Sequence, residues 1–289
     1  MSVQMIRERL EGYQCRTALE EDHALREITQ EVVLAALGRG DFFTHALFQG
    51  GTCLRIFHGL SRFSEDLDFM LRAPDPAFRL GGHLTHLADE LAAYGYHAEI
   101  TDRSQAGKAV QTAFVKDDSI GKLIEIRHPE RSGPLRKIRI KLEVDTNPPA
   151  GSGAVLDYLD FPFVASVSSQ DMPSLFAGKV YALLCRAFMK GRDWYDFLWY
   201  TSRAAPLNLT FLSSALDQAG PWKGMRVDAG LDWVSEELSR KIRSIDWQSA
   251  AAEVAPFIRA HEQASLRLWS EDLFLHQLNK WQKARDTGA

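Results

Sequence analysis

The chain has 289 residues, 45% of them hydrophobic and 25% charged, which supplies more than one core and excludes a wholly disordered or collagen-like chain. A net charge of −4 gives no support for a protein that coats nucleic acid over its whole surface and leaves room for a local basic groove. Cys15, Cys53 and Cys185 stand far apart with no C-x-x-C pair, which argues against a zinc knuckle or a disulfide framework. No apolar run approaches the ~20 residues that span a bilayer, and the opening MSVQMIRERLEGYQCR lacks the apolar stretch of a signal peptide. The expectation is a cytoplasmic protein with no membrane partner.

Residues 7–37 read as helical, with Leu25, Ile28, Val32, Val33 and Ala36 at helical spacing and Gly38 and Gly40 stopping the run. Residues 44–48 are a short apolar run before Gly50-Gly51 and read as a buried strand. Residues 52–58 read as a short helix entered through the glycine pair, and 66–71 as a half-buried strand ended by Pro74 and Pro76. Residues 83–94 carry Leu84, Leu87 and Leu91 as a helical stripe closed by Gly95. Strand-like runs follow at 97–101, 110–115 and 138–145, and a further apolar run at 163–167 leads into Asp171-Met172-Pro173-Ser174. Helical patterns dominate from Leu175 onward, where all seven tryptophans lie and read as core. The fold class is therefore α+β, with a mixed α/β lobe over residues 1–170 and a helical lobe over 171–289.

The chemistry-bearing signal is Gly50-Gly51-Thr52 followed by Ser64-Glu65-Asp66-Leu67-Asp68. Residues two apart in a strand project to one face, so Asp66 and Asp68 stand together and repel unless a cation lies between them. Mg²⁺ (or Mn²⁺) accepts carboxylate oxygens and keeps positions open for substrate phosphates. Backbone N–H groups at the start of the helix after the glycines offer a cradle for phosphate. In Ile138–Asp145 the alternation turns Lys141, Glu143 and Asp145 to one face, making Glu143, ahead of Asp145, the candidate third carboxylate. Such a group binds the ion or activates the attacking hydroxyl, and a solvated edge strand is the alternative.

Further on, Lys179 and Arg186 fall on one helical face and suit a triphosphate tail. Asp193 and Asp196 read first as capping or ion-pairing groups for Lys190, Arg192 or Arg186. Lys122, Arg127, Arg131, Arg136, Lys137, Arg139 and Lys141 outnumber Glu125 and Glu130, a stripe that suits a phosphate backbone or an ordinary solvated hairpin. Trp194 and Tyr195 read as packing residues before base-stacking ones.

The stretches GGTCLRIFHGLSRFSEDLDF, KLEVD and AGKVYALLCRAFMKGRDWYDF resemble the AbiEii/AbiGii family, to which the MenT toxins of mycobacteria are similar. The resemblance covers residues 43–200 and implies a DNA polymerase β-like nucleotidyltransferase lobe, then a helical lobe, with the site in the cleft between. It assigns metal binding to Asp66 and Asp68, an active-site position to Ser64, phosphate contact to Lys179 and the later acidic position to Asp196. Thr52 follows Gly50-Gly51 where many nucleotidyltransferases carry Gly-Ser, and it keeps a hydroxyl for phosphate. The implied activity is a toxin of a toxin–antitoxin or phage-defence system. With Mg²⁺ it transfers NMP from an NTP to the 3′ end of tRNA, blocking translation, and a cognate antitoxin is its partner. Alternatives are a protein or small-molecule acceptor, γ-phosphate transfer, or an inactive scaffold of the same fold.

Overall fold

Thr17 interrupts the long helical pattern at the N-terminus, because its hydroxyl accepts the amide of Glu20 and so starts a new helix. The computed structural model, which describes residues 2–105, 108–117 and 138–286, accordingly has two helices there, α1 (Ser2–Gly12) and α2 (Ala18–Arg39), in place of the single expected one. Gly38 does not stop α2; it lies inside the helix because a Cβ there would come 2.9 Å from the carbonyl oxygen of Ser166.

After a single turn, α3 (Phe42–His45), come β1 (Ala46–Gln49), α4 (Gly50–His58), β2 (Leu67–Leu71), α5 (Gly81–Ala93), β3 (Glu99–Asp102), β4 (Val110–Asp117), β5 (Ile138–Asp145), β6 (Ala154–Leu159) and β7 (Ala165–Gln170). The seven strands form one mixed sheet in the order β3-β4-β5-β2-β1-β7-β6. β1 is antiparallel to β2 and parallel to β7, and β2 is parallel to β5. The central strands bury Ala46, Leu47, Phe48, Leu67, Phe69, Met70 and Leu71, and α2 packs beside them against α5 and β5. β5 carries the expected alternation, with Ile140, Leu142 and Val144 buried and Lys141, Glu143 and Asp145 half-buried. β6 had no counterpart in the sequence reading.

The chain divides into two compact units. The first comprises Met1–Gly59, Phe63–Pro148 and Val155–Ser169; the second comprises Leu60–Arg62, Pro149–Ala154 and Gln170–Ala289. Besides the helical segment expected from 171 onward, the second unit thus takes in two short pieces from inside the first.

In the second unit Asp171 caps α6 (Met172–Cys185) by accepting the Ser174 amide at 3.0 Å, with Pro173 in the first turn. The remaining helices are α7 (Gly191–Ser202), α8 (Leu209–Gln218), α9 (Leu231–Arg243), α10 (Trp247–Val254) and α11 (Glu271–Asp286). Their core stacks Phe176 on Tyr200 at 4.4 Å, and Trp281 donates to the carbonyl of Ala205 at 2.8 Å. Trp194, Trp199, Trp269 and Trp281 are buried, whereas Trp222, Trp233 and Trp247 are half-buried and pack by ring contacts, Trp247 on Phe274 at 3.8 Å.

Candidate active site

In the first unit, β1 delivers the chain to Gly50, whose φ of +81° is a left-handed conformation that suits glycine. Register sets Gln49 opposite Asp68, so the Asp68 carboxylate lies against the glycine turn. A Cβ on residue 50 would stand 2.7 Å from Asp68 Oδ2 and 3.3 Å from its Cβ. Gly50 is therefore required twice over, by its backbone conformation and by the space the carboxylate occupies. α4 starts there with no side-chain bond at its N-cap and no acidic residue in its first turn, leaving the helix end suited to an anion.

Thr52 is 1% exposed and its hydroxyl donates to the backbone carbonyl of Asp66. That bond clamps α4 to the acidic segment. Asp66 lies one residue before β2, so the strand's alternation does not reach it, and the clamp holds its backbone carbonyl. Asp68 is the Cα partner of Glu143 across the parallel pair β2–β5, which turns both side chains to the same side of the sheet on adjacent strands about 4.8 Å apart. Glu143 in turn holds Lys141 at 2.7 Å.

Among the described residues no three His, Cys, Asp or Glu side chains converge as a metal cage, so the expected joint set of Asp66, Asp68 and Glu143 is not a preformed three-ligand cluster. The donors nonetheless fit magnesium, which is usually held by one or two carboxylates and completed by phosphate and water oxygens. Ser64 is half-buried and its carbonyl accepts from Gln30 Nε2 at 3.3 Å, while Glu65 pairs with Arg26 at 2.6 Å.

The second unit holds a separate buried ionic cluster. Lys179 Nζ lies 2.7 Å from Asp193 Oδ1 and 2.7 Å from Asp196 Oδ2. Arg186 takes the other oxygen of Asp193 at 2.6 Å. Arg62 grips Asp196 with a two-pronged pair, Nε to Oδ1 and a terminal nitrogen to Oδ2, each at 2.6 Å. Asp196 is wholly buried and Arg62 is 3% exposed. Burial opposes the charge on Lys179, but Asp193 and Asp196 outweigh it and hold the ammonium above its ordinary value. Burial likewise raises the Asp193 carboxyl, and Lys179 and Arg186 overcome it to hold that carboxyl low. Two of the three Lys179 protons go to carboxylates, which leaves one for a phosphate oxygen.

The ion-pairing reading of Asp193 and Asp196 therefore acquires different partners: Arg186 is one, but Lys179 and Arg62 replace Lys190 and Arg192, and Arg192 pairs instead with Glu253 at 3.1 Å. Arg62 carried no role in the sequence reading because a loop carries no periodicity to show that an arginine points inward. Trp194 is 2% exposed and packs, as expected, and the Tyr195 hydroxyl donates to Glu262 at 3.4 Å. Of the basic stripe, Lys122, Arg127, Arg131, Arg136 and Lys137, with Glu125 and Glu130, lie outside the described residues; Arg139 and Lys141 are on β5.

The model of the nucleotidyl transferase AbiEii toxin family, assigned to type IV toxin–antitoxin systems, matches residues 32–275, most of the chain. The chain belongs to the AbiEii family. Its fold is similar to that of the MenT4 nucleotidyltransferase toxin of Mycobacterium tuberculosis H37Rv, at 17% identity and a TM-score of 0.51, over 95% of this chain and 99% of that one. It is also similar to JHP933 from Helicobacter pylori, at 14% identity and a TM-score of 0.50, over 92% of this chain and 97% of that one. At these identities the likeness is one of fold. No curated protein matches the chain. As an AbiEii protein it is a nucleotidyltransferase toxin, with an NTP as substrate and an antitoxin as its counterpart. No helix among the described residues is long and apolar enough to cross a membrane.

Proposed function

We propose that this AbiEii protein uses Mg²⁺ (or Mn²⁺) to transfer NMP from an NTP to the 3′ end of a tRNA in the cytoplasm, blocking translation and, in its host, phage growth. The observation that carries the reading is Asp68 pressed against the left-handed Gly50 and register-paired with Glu143, beside a helix start with no capping side chain.

Asp66, Asp68 and Glu143 are the groups that would hold the metal. When bound, the ion supplies charge neutralisation for the phosphates and the departing pyrophosphate. The amides after Gly50 and Gly51 bind phosphate oxygen, and within the second unit Lys179 and Arg186 are cations suited to a phosphate group. The 3′-hydroxyl oxygen attacks the α-phosphorus, its proton passes to a carboxylate of the acidic set, and pyrophosphate leaves. Ser64 precedes the acidic pair in the chain, and Asp196 positions Lys179.

The test is incubation with total tRNA, Mg²⁺ and each α-³²P-labelled NTP in turn. The expected product is RNase-sensitive label from one or a few nucleotides, absent with Asp66→Ala. Label that stays on protein would replace the RNA acceptor with a protein one.

A further inference from the structure

The loop between α6 and α7, residues 186–190, is fixed at both ends. The Arg186 amide bonds the Ala182 carbonyl, its own carbonyl accepts from Lys241 Nζ at 3.4 Å, and its guanidinium is held by Asp193. At the far end Gly191 packs so closely on α10 that a Cβ there would sit 1.9 Å from the carbonyl oxygen of Ala250. Between these anchors the Phe188 ring is 67% exposed, with the Arg186 guanidinium carbon 5.3 Å from its centroid.

A large aromatic held in water on a pinned loop gains nothing for the core. Its surroundings point to an anionic ligand. Arg62, Lys179 and Arg186 converge on the carboxylates of Asp193 and Asp196, and Lys190 beside them has no ion-pair partner among the described residues. Burial, with the like charges of Arg192, Arg186 and Lys179, pushes Lys190 below its ordinary value against the pull of Asp193. An ammonium in that position is stabilised by an incoming phosphate.

We infer that Phe188 is a stacking platform for a nucleobase, with Lys190 and Arg186 taking the phosphate attached to it. The ligand class is a nucleotide, which is either the incoming NTP or the terminal nucleotide of the RNA acceptor. This inference rests on the proposed nucleotidyl transfer and extends it with a residue that holds the base. The stack is sequence-tolerant, because every base has a π-face, and the cations supply the anchoring charge.

Calorimetric titration of the full chain tests it, using each of the four NTPs, inorganic tripolyphosphate and the oligoribonucleotide ACCA, all with Mg²⁺. Thermal melts of each variant establish that it is folded. Phe188→Ala and Phe188→Leu are expected to weaken the base-bearing ligand by about five- to a hundredfold, and Phe188→Trp to bind as wild type. Tripolyphosphate, having no base, keeps its affinity in all three, whereas Lys190→Met weakens it. Loss confined to NTPs assigns the platform to the incoming nucleotide, and loss confined to ACCA assigns it to the acceptor. Wild-type binding that is indifferent to Phe188→Ala, or a leucine variant equal to wild type, overturns the stacking inference alone. A wild-type chain that binds neither NTP nor ACCA overturns the transferase reading together with it.

Discussion

Replacing Asp196 by alanine removes the carboxylate that takes two bonds from Arg62, in a place where neither side chain reaches solvent. Stripping one partner from a buried ion pair costs about 3–5 kcal/mol, because the remaining charge stays desolvated. For a chain of this size each kcal/mol lowers the melting midpoint by roughly 2–4 °C, so the variant should melt about 6–20 °C lower. Arg62→Met should cost less, about 1–3 kcal/mol, since Asp196 keeps Lys179 at 2.7 Å. The double variant Arg62→Met/Asp196→Leu removes both charges together and should lose less than the two single losses combined, with a coupling of about 2 kcal/mol. Urea unfolding followed by tryptophan fluorescence reads this cycle well, because all seven tryptophans lie beyond residue 193, in the unit that contains the pair. A loss under about 1 kcal/mol for Asp196→Ala, or additive single effects, would refute the argument that this pair is a buried clamp.

Gly50→Ala meets both a left-handed backbone and the Asp68 carboxylate, so it should lose about 1–2 kcal/mol of stability and most of its transfer activity, measured by melting and by labelled-NTP incorporation. Thr52→Val deprives the Asp66 carbonyl of its hydroxyl donor and should cost about 1–3 kcal/mol in urea unfolding, while Thr52→Ser, which keeps the donor, should stay close to wild type. Asp193 has its carboxyl held below the ordinary 3.8, so the unfolded chain binds its proton first as pH falls. Its contribution is complete above that value and lost below it, and Asp193→Asn should flatten the stability profile between about pH 5 and 2.

Most of the sheet was legible because it writes itself in short periods. The alternation of Ile138–Asp145 is visible residue by residue, and Gly50-Gly51 ahead of Asp66-x-Asp68 marks a turn beside a strand. β6 escaped because Val155, Leu156 and Tyr158 are exposed on an edge strand, which leaves no buried face to impose a pattern. The break between α1 and α2 depends on a single threonine cap within a sequence that is otherwise helical throughout. The grip of Arg62 on Asp196 joins residues 134 positions apart, and only the folded second unit brings them together.

The most direct test of the central claim compares α- and γ-³²P-labelled forms of the same NTP, with Mg²⁺ and total tRNA, for the wild type and Asp68→Asn. Nucleotidyl transfer predicts label in the RNA from the α-position alone, lost on chelation of the metal and lost in Asp68→Asn. Label arriving from the γ-position, or α-label undiminished in Asp68→Asn, would contradict it.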